Sequence, residues 1–485
     1  MSYHILAAFL CLAWLVPARA AETLQQAVSA ALQRFPEIQA AQYRQVAAGA
    51  QVGQARAELL PALSGTLGAG RERSRNATSR ALGENATLSR TEAELTLSQL
   101  LFDGGAATGQ LRRFSARAEG AQFNVVGTMQ DVALRASQAF VDVQRLREQL
   151  GIARENIRTH EKTLSDVSLL AESGRGRRAD VTQAQARRAL ALSSADQLTG
   201  QLAQAEDSFR FFVGRPPGEL AAPPAFQTEF PPRLDDAVGQ ALALHPVLRA
   251  AEKELEAAQH DRASARARLI VPRVTVEAGL TRNRDVAGIP GPTNDQFAML
   301  RMRYNFFRGF AESERVRETD ARIDEAIAGV ARVRGEIERD VRQSWDALGS
   351  DRMRLPQLAQ YARASADVAE AYRLQFQLGQ RSLLDVLNAE NERYHAVSSY
   401  VAGRAVITVD ELRLLTSQGR LIEALGLPVP GGAAGGDAIP GATAEPRRPA
   451  CTAVAERDSS CLVLRLETAL PDRFGLDQPL STSVR

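Results

Sequence analysis

Two kinds of periodicity run along this chain, and each occurs twice. Val274, Val276, Ala278 and Leu280 interleave with Thr275, Glu277 and Gly279, and Ala298, Leu300, Met302, Tyr304 and Phe306 interleave with Met299, Arg301, Arg303 and Asn305. A period of two predicts strands with one apolar and one polar face, over about residues 273–281 and 297–307. Earlier, Leu95 and Leu97 alternate with Thr96 and Ser98, which predicts a matching pair over about 63–71 and 93–102. Polar loops at about 71–91 and 282–296 join the strands of each pair. Each pair follows a helical segment ended by Pro61 or Pro272, because proline cannot continue the helical hydrogen-bond ladder.

The second periodicity is helical. From Leu111 a stripe runs through Phe114, Ala118, Ala121, Val125, Thr128 and Val132, and resumes through Val143, Leu146, Leu150, Ala153, Ile157, Leu164 and Val167. Steps of three and four are heptad spacing, and the eleven-residue step from Val132 to Val143 unwinds a left-handed supercoil locally. A straight helix from about 105 to 173 would reach on the order of 100 Å at 1.5 Å per residue. Return helices over about 181–212 and 386–425 span half that length. The helices before the strands, about 37–60 and 246–270, would stack on their ends and complete the rods. Phe102-Asp103-Gly104-Gly105 and Phe307-Arg308-Gly309 read as strand-to-helix turns, and Gly174 and Gly379 as the turns of helix hairpins.

The two halves repeat. Leu24-Gln25-Gln26-Ala27-Val28 returns 210 residues later as Leu234-Asp235-Asp236-Ala237-Val238, and Phe102, Gly104, Phe140, Gly174, Asp180 and Gly214 return 205 residues later as Phe307, Gly309, Trp345, Gly379, Asp385 and Gly419. A constant offset over more than a hundred residues indicates duplication. The expected organisation is a first repeat over 21–215, a Pro-rich linker over 216–232 and a second repeat over 233–427. Beyond, the glycine-rich composition of 428–485 cannot build a core and predicts a disordered tail.

Composition narrows the function. Lys+Arg 59 against Asp+Glu 57 gives a formal charge of +2, without the basic excess of a dedicated nucleic-acid binder. Lys162 and Lys253 are the only lysines and neither follows a glycine-rich loop, so no Walker-type nucleotide site is expected. His160, His245, His260 and His395 are scattered, without paired metal-ligand spacing, so neither a metal, a cofactor nor an enzymatic centre is expected. Asn76-Ala77-Thr78 and Asn85-Ala86-Thr87 match a glycosylation pattern that is frequent by chance.

Ile5 to Val16 is apolar and is followed by Pro17 and Ala18-Arg19-Ala20, which predicts a signal peptide over 1–20 and export. Cys11 stands behind Phe9 and Leu10, unlike a lipoprotein cleavage box, so no lipid anchor is expected. Cys451 and Cys461 would remain, and an exported protein could pair them. Beyond residue 20 no run of about 18 apolar residues predicts a membrane helix. Strands of about ten residues instead fit the crossing of an outer-membrane barrel, while a soluble hairpin packed on one face fits the alternation too. On the barrel reading Leu95, Leu97, Val276, Leu300, Met302 and Tyr304 face outer-membrane lipid, and Arg301 and Arg303 the lumen. Four strands would leave two open edges in lipid, and eight would make a barrel filled by its own side chains. An open channel thus needs at least three chains and twelve strands.

This duplicated order, the Phe-Asp-Gly-Gly turn and the segment Leu378-Gly379-Gln380-Arg381-Ser382-Leu383-Leu384-Asp385-Val386-Leu387-Asn388-Ala389 resemble the TolC family of outer-membrane factors over roughly residues 22–427. The resemblance implies a mainly α fold with a membrane β-barrel: a homotrimer whose twelve-stranded β-barrel continues into a coiled-coil α-barrel across the periplasm. It implies a passive exit duct for type I secretion or for drug or metal efflux, docked on an inner-membrane ABC transporter or other pump through a periplasmic adaptor of the membrane-fusion kind. The absence of a lipid-anchor cysteine leans towards secretion of a protein toxin, for which a repeat-in-toxin adenylate cyclase-haemolysin is a plausible cargo. Carried over by position, the family's periplasmic gate falls on Asp180, Phe376, Arg381, Asp385 and Asn388. Phe376 has no hydroxyl and Asn388 no charge, so fewer ties and one carboxylate ring are expected. Capping of the returning helices by Asp180 and Asp385 is the alternative role. A coiled-coil adhesin or structural rod would explain the heptads, though not the strands between them.

Overall fold

The computed structural model describes residues 21–81, 87–226 and 230–428. The signal peptide, Asn85, Cys451 and Cys461, and the tail from residue 429 lie outside them. The chain opens with α1 (Leu24–Arg34), started by Thr23, whose hydroxyl accepts from the Gln26 amide while the Gln26 side chain accepts from the Thr23 amide. Then come α2 (Pro36–Ala57), β1 (Ala62–Arg73), the short α3 (Ala77–Ala81), β2 (Thr87–Phe102), α4 (Ala106–Glu172) and α5 (Arg178–Val213). The second half follows the same order without the short helix: α6 (Leu234–Leu244), α7 (Pro246–Ile270), β3 (Arg273–Arg284), β4 (Pro292–Arg303), α8 (Ala311–Gln377), α9 (Leu383–Ser417) and the one-turn α10 (Leu421–Ala424).

The four strands form one antiparallel sheet in the order β1-β2-β3-β4. The helices continue that order: α4 packs beside α2 and α7, and α7 beside α8. Past the middle, α5 and α9 take the places of α2 and α7 beside α4, and α9 packs on α8. The stacking of short helices into rods is visible at the joints. Phe35, which starts α2, touches Phe211 and Phe212 at the end of α5, with ring centroids 5.3 Å apart in both pairs. At the corresponding joint of the second half Pro246 meets Gly419, so closely that a Cβ on the glycine would stand 2.8 Å from the proline ring.

The largest core belts the middle of the rods, where α1 and α10 wrap α4: Leu24, Phe140, Phe209, Phe226, Leu421 and Ile422 are all buried there. A smaller core holds α6 against α8 through Val238, Val341 and Leu348. Nearer the sheet, the α4–α7 seam is not the apolar stripe that heptad spacing suggested. Gly109, Ala116, Gly120 and Gly127 are buried, while Phe114, Ala118 and Ala121 are half-exposed. A Cβ on Gly109 would stand 3.0 Å from Ser264, so the backbones approach too closely for larger residues. Here Asp261 of α7, 3% exposed, accepts from Gln110 and Arg113 of α4 at 3.1 and 3.2 Å and from Arg315 of α8 at 2.9 Å.

Several boundaries differ from expectation. β1, β2 and β3 extend well into the predicted polar loops, because cross-strand ion pairs such as Arg90 with Glu72 satisfy their charges. β4 runs over Pro292–Arg303, not 297–307, and Tyr304 therefore lies past the strand. The rung that would pair Tyr304 falls on Pro272, which has no amide to donate. The last return helix stops at Ser417, because Gly419 takes a left-handed conformation with φ +72°, and α10 starts a separate turn.

Candidate functional site

Three places carry the features expected of a conduit: the sheet, the strand-to-helix turns and the hairpin ends. Partners in adjacent strands share a face. Leu63 pairs with Leu97, Leu97 with Ala278 and Ala278 with Ala298; Gln99 pairs with Val276, Val276 with Leu300 and Val274 with Met302. Leu95, Leu97, Val276, Leu300 and Met302 thus stand together on one face, all exposed, joined by Leu67 and Leu280. Arg301 and Arg303 stand on the opposite face with Thr66, Glu94, Thr96, Ser98, Thr275 and Glu277. Met299 and Phe297 depart from its polarity, and the Phe297 ring covers Gly279, where a Cβ would stand 2.4 Å from it.

At the first strand-to-helix turn Gly104 and Gly105 have φ +68° and +85°, and the Asp103 carboxylate caps α4 by accepting from the amides of Gly105 at 3.0 Å and Ala107 at 2.8 Å. Gly104 also passes Val271 too closely to allow a Cβ, which would stand 2.7 Å from its side chain. The second turn has Arg308 where the first has Asp103, so α8 begins without a side-chain cap, after Gly309 at φ +62° and Phe310 at φ +66°. Phe102, Phe306, Phe307 and Phe310 are exposed beside these turns, together with Tyr304, which packs edge-on against Phe306. Such a belt where strands end is the composition of a membrane–water interface.

The two hairpins share one backbone solution. Gly174 (φ +72°) and Gly379 (φ +75°) end α4 and α8, and the next amides, of Arg175 and Gln380, donate back to Leu170 and Gln375, both at 2.9 Å. Their side chains differ. Ser382 caps α9, accepting from the Asp385 amide at 3.2 Å and donating to the Asp385 carboxylate at 2.8 Å. Arg381 lies over the Tyr372 ring at 4.2 Å, donates to Gln375 at 2.9 Å and stands 3.9 Å from Asp385. Tyr372 was not anticipated. It precedes Phe376 by one helical turn, a spacing that could have directed attention to it.

Phe376 packs with Val167, Leu383, Leu387 and Val181, joining the two hairpins through an apolar contact. The exposed Asn388 accepts from Arg187 of α5 at 2.8 Å. Asp180 is in the first turn of α5, and among the described residues its side chain makes no hydrogen bond or ion pair. Asp385 and Arg381 are thus brought together, and Asp180 is not brought to Arg381 within one chain. Deeper between α4 and α9, His160 is buried and its proton affinity is lowered by that burial, against the opposing charge of Glu390. Asp410 of α9 is buried beside Asp351 of α8, and desolvation together with that carboxyl raises its pKa to about 6.

Among the described residues no cluster of His, Cys, Asp or Glu has the arrangement of a metal site, and no helix is long and apolar enough to cross a membrane. The family model described as outer membrane efflux protein matches residues 27–215 and 237–420, one segment in each half. The outer membrane efflux protein BepC of Brucella suis is 23% identical over 337 residues, covering 69% of this chain and 74% of that protein. Protein CyaE of Bordetella pertussis is 26% identical over 407 residues, covering 82% and 84%. Among solved structures, the outer-membrane channel OprN superposes with a TM-score of 0.70 at 21% identity, over 82% of this chain and 90% of that one.

Proposed function

The chain belongs to the outer membrane efflux protein family, and from that premise we propose that it assembles as a homotrimeric channel-tunnel for type I secretion. Membership makes it a passive outer-membrane conduit that extends through the periplasm, and not an enzyme. The observation that carries the trimer is the sheet: one face apolar, the other polar, and β1 and β4 each paired on one side only. Open edges in lipid leave backbone groups unsatisfied at several kcal/mol each, and three copies would close them into twelve strands. On this reading the apolar face meets lipid, the exposed aromatics mark the inner membrane boundary, and α2, α4, α7 and α8 of three copies continue the wall as an α-barrel.

The hairpin ends form the gate on this reading, and the Arg381–Tyr372 stack with the Ser382–Asp385 cap holds the second hairpin in place. Three Asp385 carboxylates would stand together and draw cations. Transport direction comes from an inner-membrane ABC transporter joined through a periplasmic adaptor, with a large protein toxin as cargo. The surroundings of Cys11, which do not suit a lipoprotein cleavage box, favour secretion. The name of the BepC relative favours a second reading, the outer-membrane component of an efflux pump.

Native mass spectrometry and electron microscopy of the full-length protein are expected to give a hollow trimeric cylinder. A monomer or a solid fibre would overturn the conduit. Deletion in the native host separates the two readings: loss of one large secreted protein with unchanged drug and metal susceptibility supports secretion, and the reverse supports efflux.

A further inference from the structure

Among the described residues, four arginines stand on the polar face of the sheet, and two of them make no hydrogen bond or ion pair, the nearest opposite charge to Arg303 being Glu277, which is itself bonded to Arg301. Arg90 pairs with Glu72 at 2.7 Å and with Glu92, and Arg301 pairs with Glu277 at 2.7 Å. Arg273 and Arg303 are direct partners in the last rung of β3 and β4, both exposed, with no hydrogen bond or ion pair among the described residues. Like charges placed directly opposite on a sheet repel, so this rung is unfavourable unless something negative sits on it. Arg268, in the last turn of α7, is also without a partner and lines the same cavity of about 800 Å³.

The carboxylates of that cavity are mostly committed elsewhere. Asp261 is held by Arg113 and Arg315, Glu312 by Arg308, and Asp103 by the amides of Gly105 and Ala107. Glu58 is the one carboxylate of the lining left without a partner among the described residues. Three guanidinium groups therefore face one unpaired carboxylate.

We propose that Arg268, Arg273 and Arg303 form an anion site at the inner end of the strand segment, suited to a phosphate-like oxyanion. A guanidinium presents parallel N–H donors that match two oxygens of such a group, and two opposed forks can hold it from both sides. The site rests on the conduit reading given above: if the polar face lines the lumen, three copies ring the passage where the α-barrel meets the β-barrel. There they would hold phosphate-bearing solutes in transit. The same chemistry could be met by the headgroup of an inner-leaflet phospholipid.

Calorimetric titration of the detergent-solubilised full-length protein with inorganic pyrophosphate tests the site. Saturable binding is expected, weakened by about tenfold or more in Arg273→Gln/Arg303→Gln, the loss of a charge-assisted bond or two. Arg301→Gln, whose guanidinium is already paired, should bind like the wild type. Arg268→Gln leaves the sheet intact and should still weaken binding by about threefold, which guards against misfolding of the double variant. No saturable heat, or equal affinity in all variants, would overturn the site. Binding of short-chain phosphatidic acid without binding of pyrophosphate would assign the arginines to lipid and overturn the lumenal role. Ion conduction in planar bilayers, measured in parallel, tests the conduit itself: binding without conduction sinks that reading and leaves the site, and conduction without binding does the reverse.

Discussion

Helices α4 and α8 have the same length, 67 residues each, and the same place in their halves, yet they are buried very differently. α4 buries residues along its whole course, from Ala106 to Val167, because its own chain covers it on both sides. The buried positions of α8 reduce to Thr319, Val333, Ile337, Val341, Leu348, Ala362, Ser365 and Ala369. Ile327, Met353, Val368 and Leu374 of α8 are exposed, as are Tyr43 and Val46 of α2 at the opposite margin. Sequence duplication therefore did not produce two equivalent environments. α4 is finished within one chain, while α8 and α2 present unfinished margins, which is what a ring of identical copies requires of its first and last rods.

The comparison can be broken most directly at the core. Phe140→Ala, in the fully buried belt of α4, is expected to cost about 3–5 kcal/mol and to lower the melting temperature followed by circular dichroism. Ile327→Ala, half-exposed on α8, should leave the melting of a dissociated monomer almost unchanged and lower the stability of the assembled oligomer instead. Equal effects of both on the monomer would show the two helices to be alike after all. The membrane-facing assignment is sharpened by Leu300→Arg, expected to cost about 2–4 kcal/mol near the bilayer midplane. A membrane-impermeant thiol reagent should label a cysteine at 301 and not one at 300, and the opposite pattern would invert the sheet.

A smaller effect comes from acidity. The pKa of Asp410 is raised to about 6 in the folded chain from its ordinary value near 3.8, so the folded state holds a proton between those values that the unfolded chain releases. Its contribution to stability is thus most favourable below about pH 4 and is lost as pH rises through 6, by about 3 kcal/mol in all. Asp410→Asn should flatten this slope in urea unfolding series at pH 4.5 and 7.5. Least in energy, though visible in current, is Arg381→Ser, which removes the stack on Tyr372 and the contact with Asp385 and should enlarge single-channel conductance. Unchanged current would leave Arg381 a local helix-capping neighbour.

The sequence was most legible where one residue type decides the backbone. Gly174 and Gly379 marked the hairpins because both need a left-handed conformation, and Leu95, Leu97, Val276, Leu300 and Met302 shared a face because a strand alternates strictly. It was least legible where the answer depends on a distant partner. The belt core needs α1, α6 and α10 laid against α4 and α8, which no local period announces. The glycine seam of Gly109, Gly120 and Gly127 looked like ordinary composition until α7 was beside it. The strand extension through Arg90 and Glu92 read as polar loop, since the cross-strand partner of Arg90, Glu72, lies 18 residues away in β1, while Glu92 pairs with it along β2. At the proposed gate, Asp385 and Arg381 came from a motif, whereas Tyr372 and Arg187 act through contacts that the motif does not contain.

The equal length of α4 and α8 acts as a shared ruler. Each helix begins at a strand end fixed in the same sheet and ends at a hairpin, so both hairpins are set at one distance from the sheet, on the order of 100 Å. Inserting one helical turn into α4 alone would push its hairpin about 5 Å beyond that of α8 and rotate nothing to compensate. In a closed ring the tips would then alternate in height, and any partner that reads them as a flat rim would lose half of its contacts. Point substitutions can accumulate in these rods independently, but changes of length are tolerable only when both halves make them together.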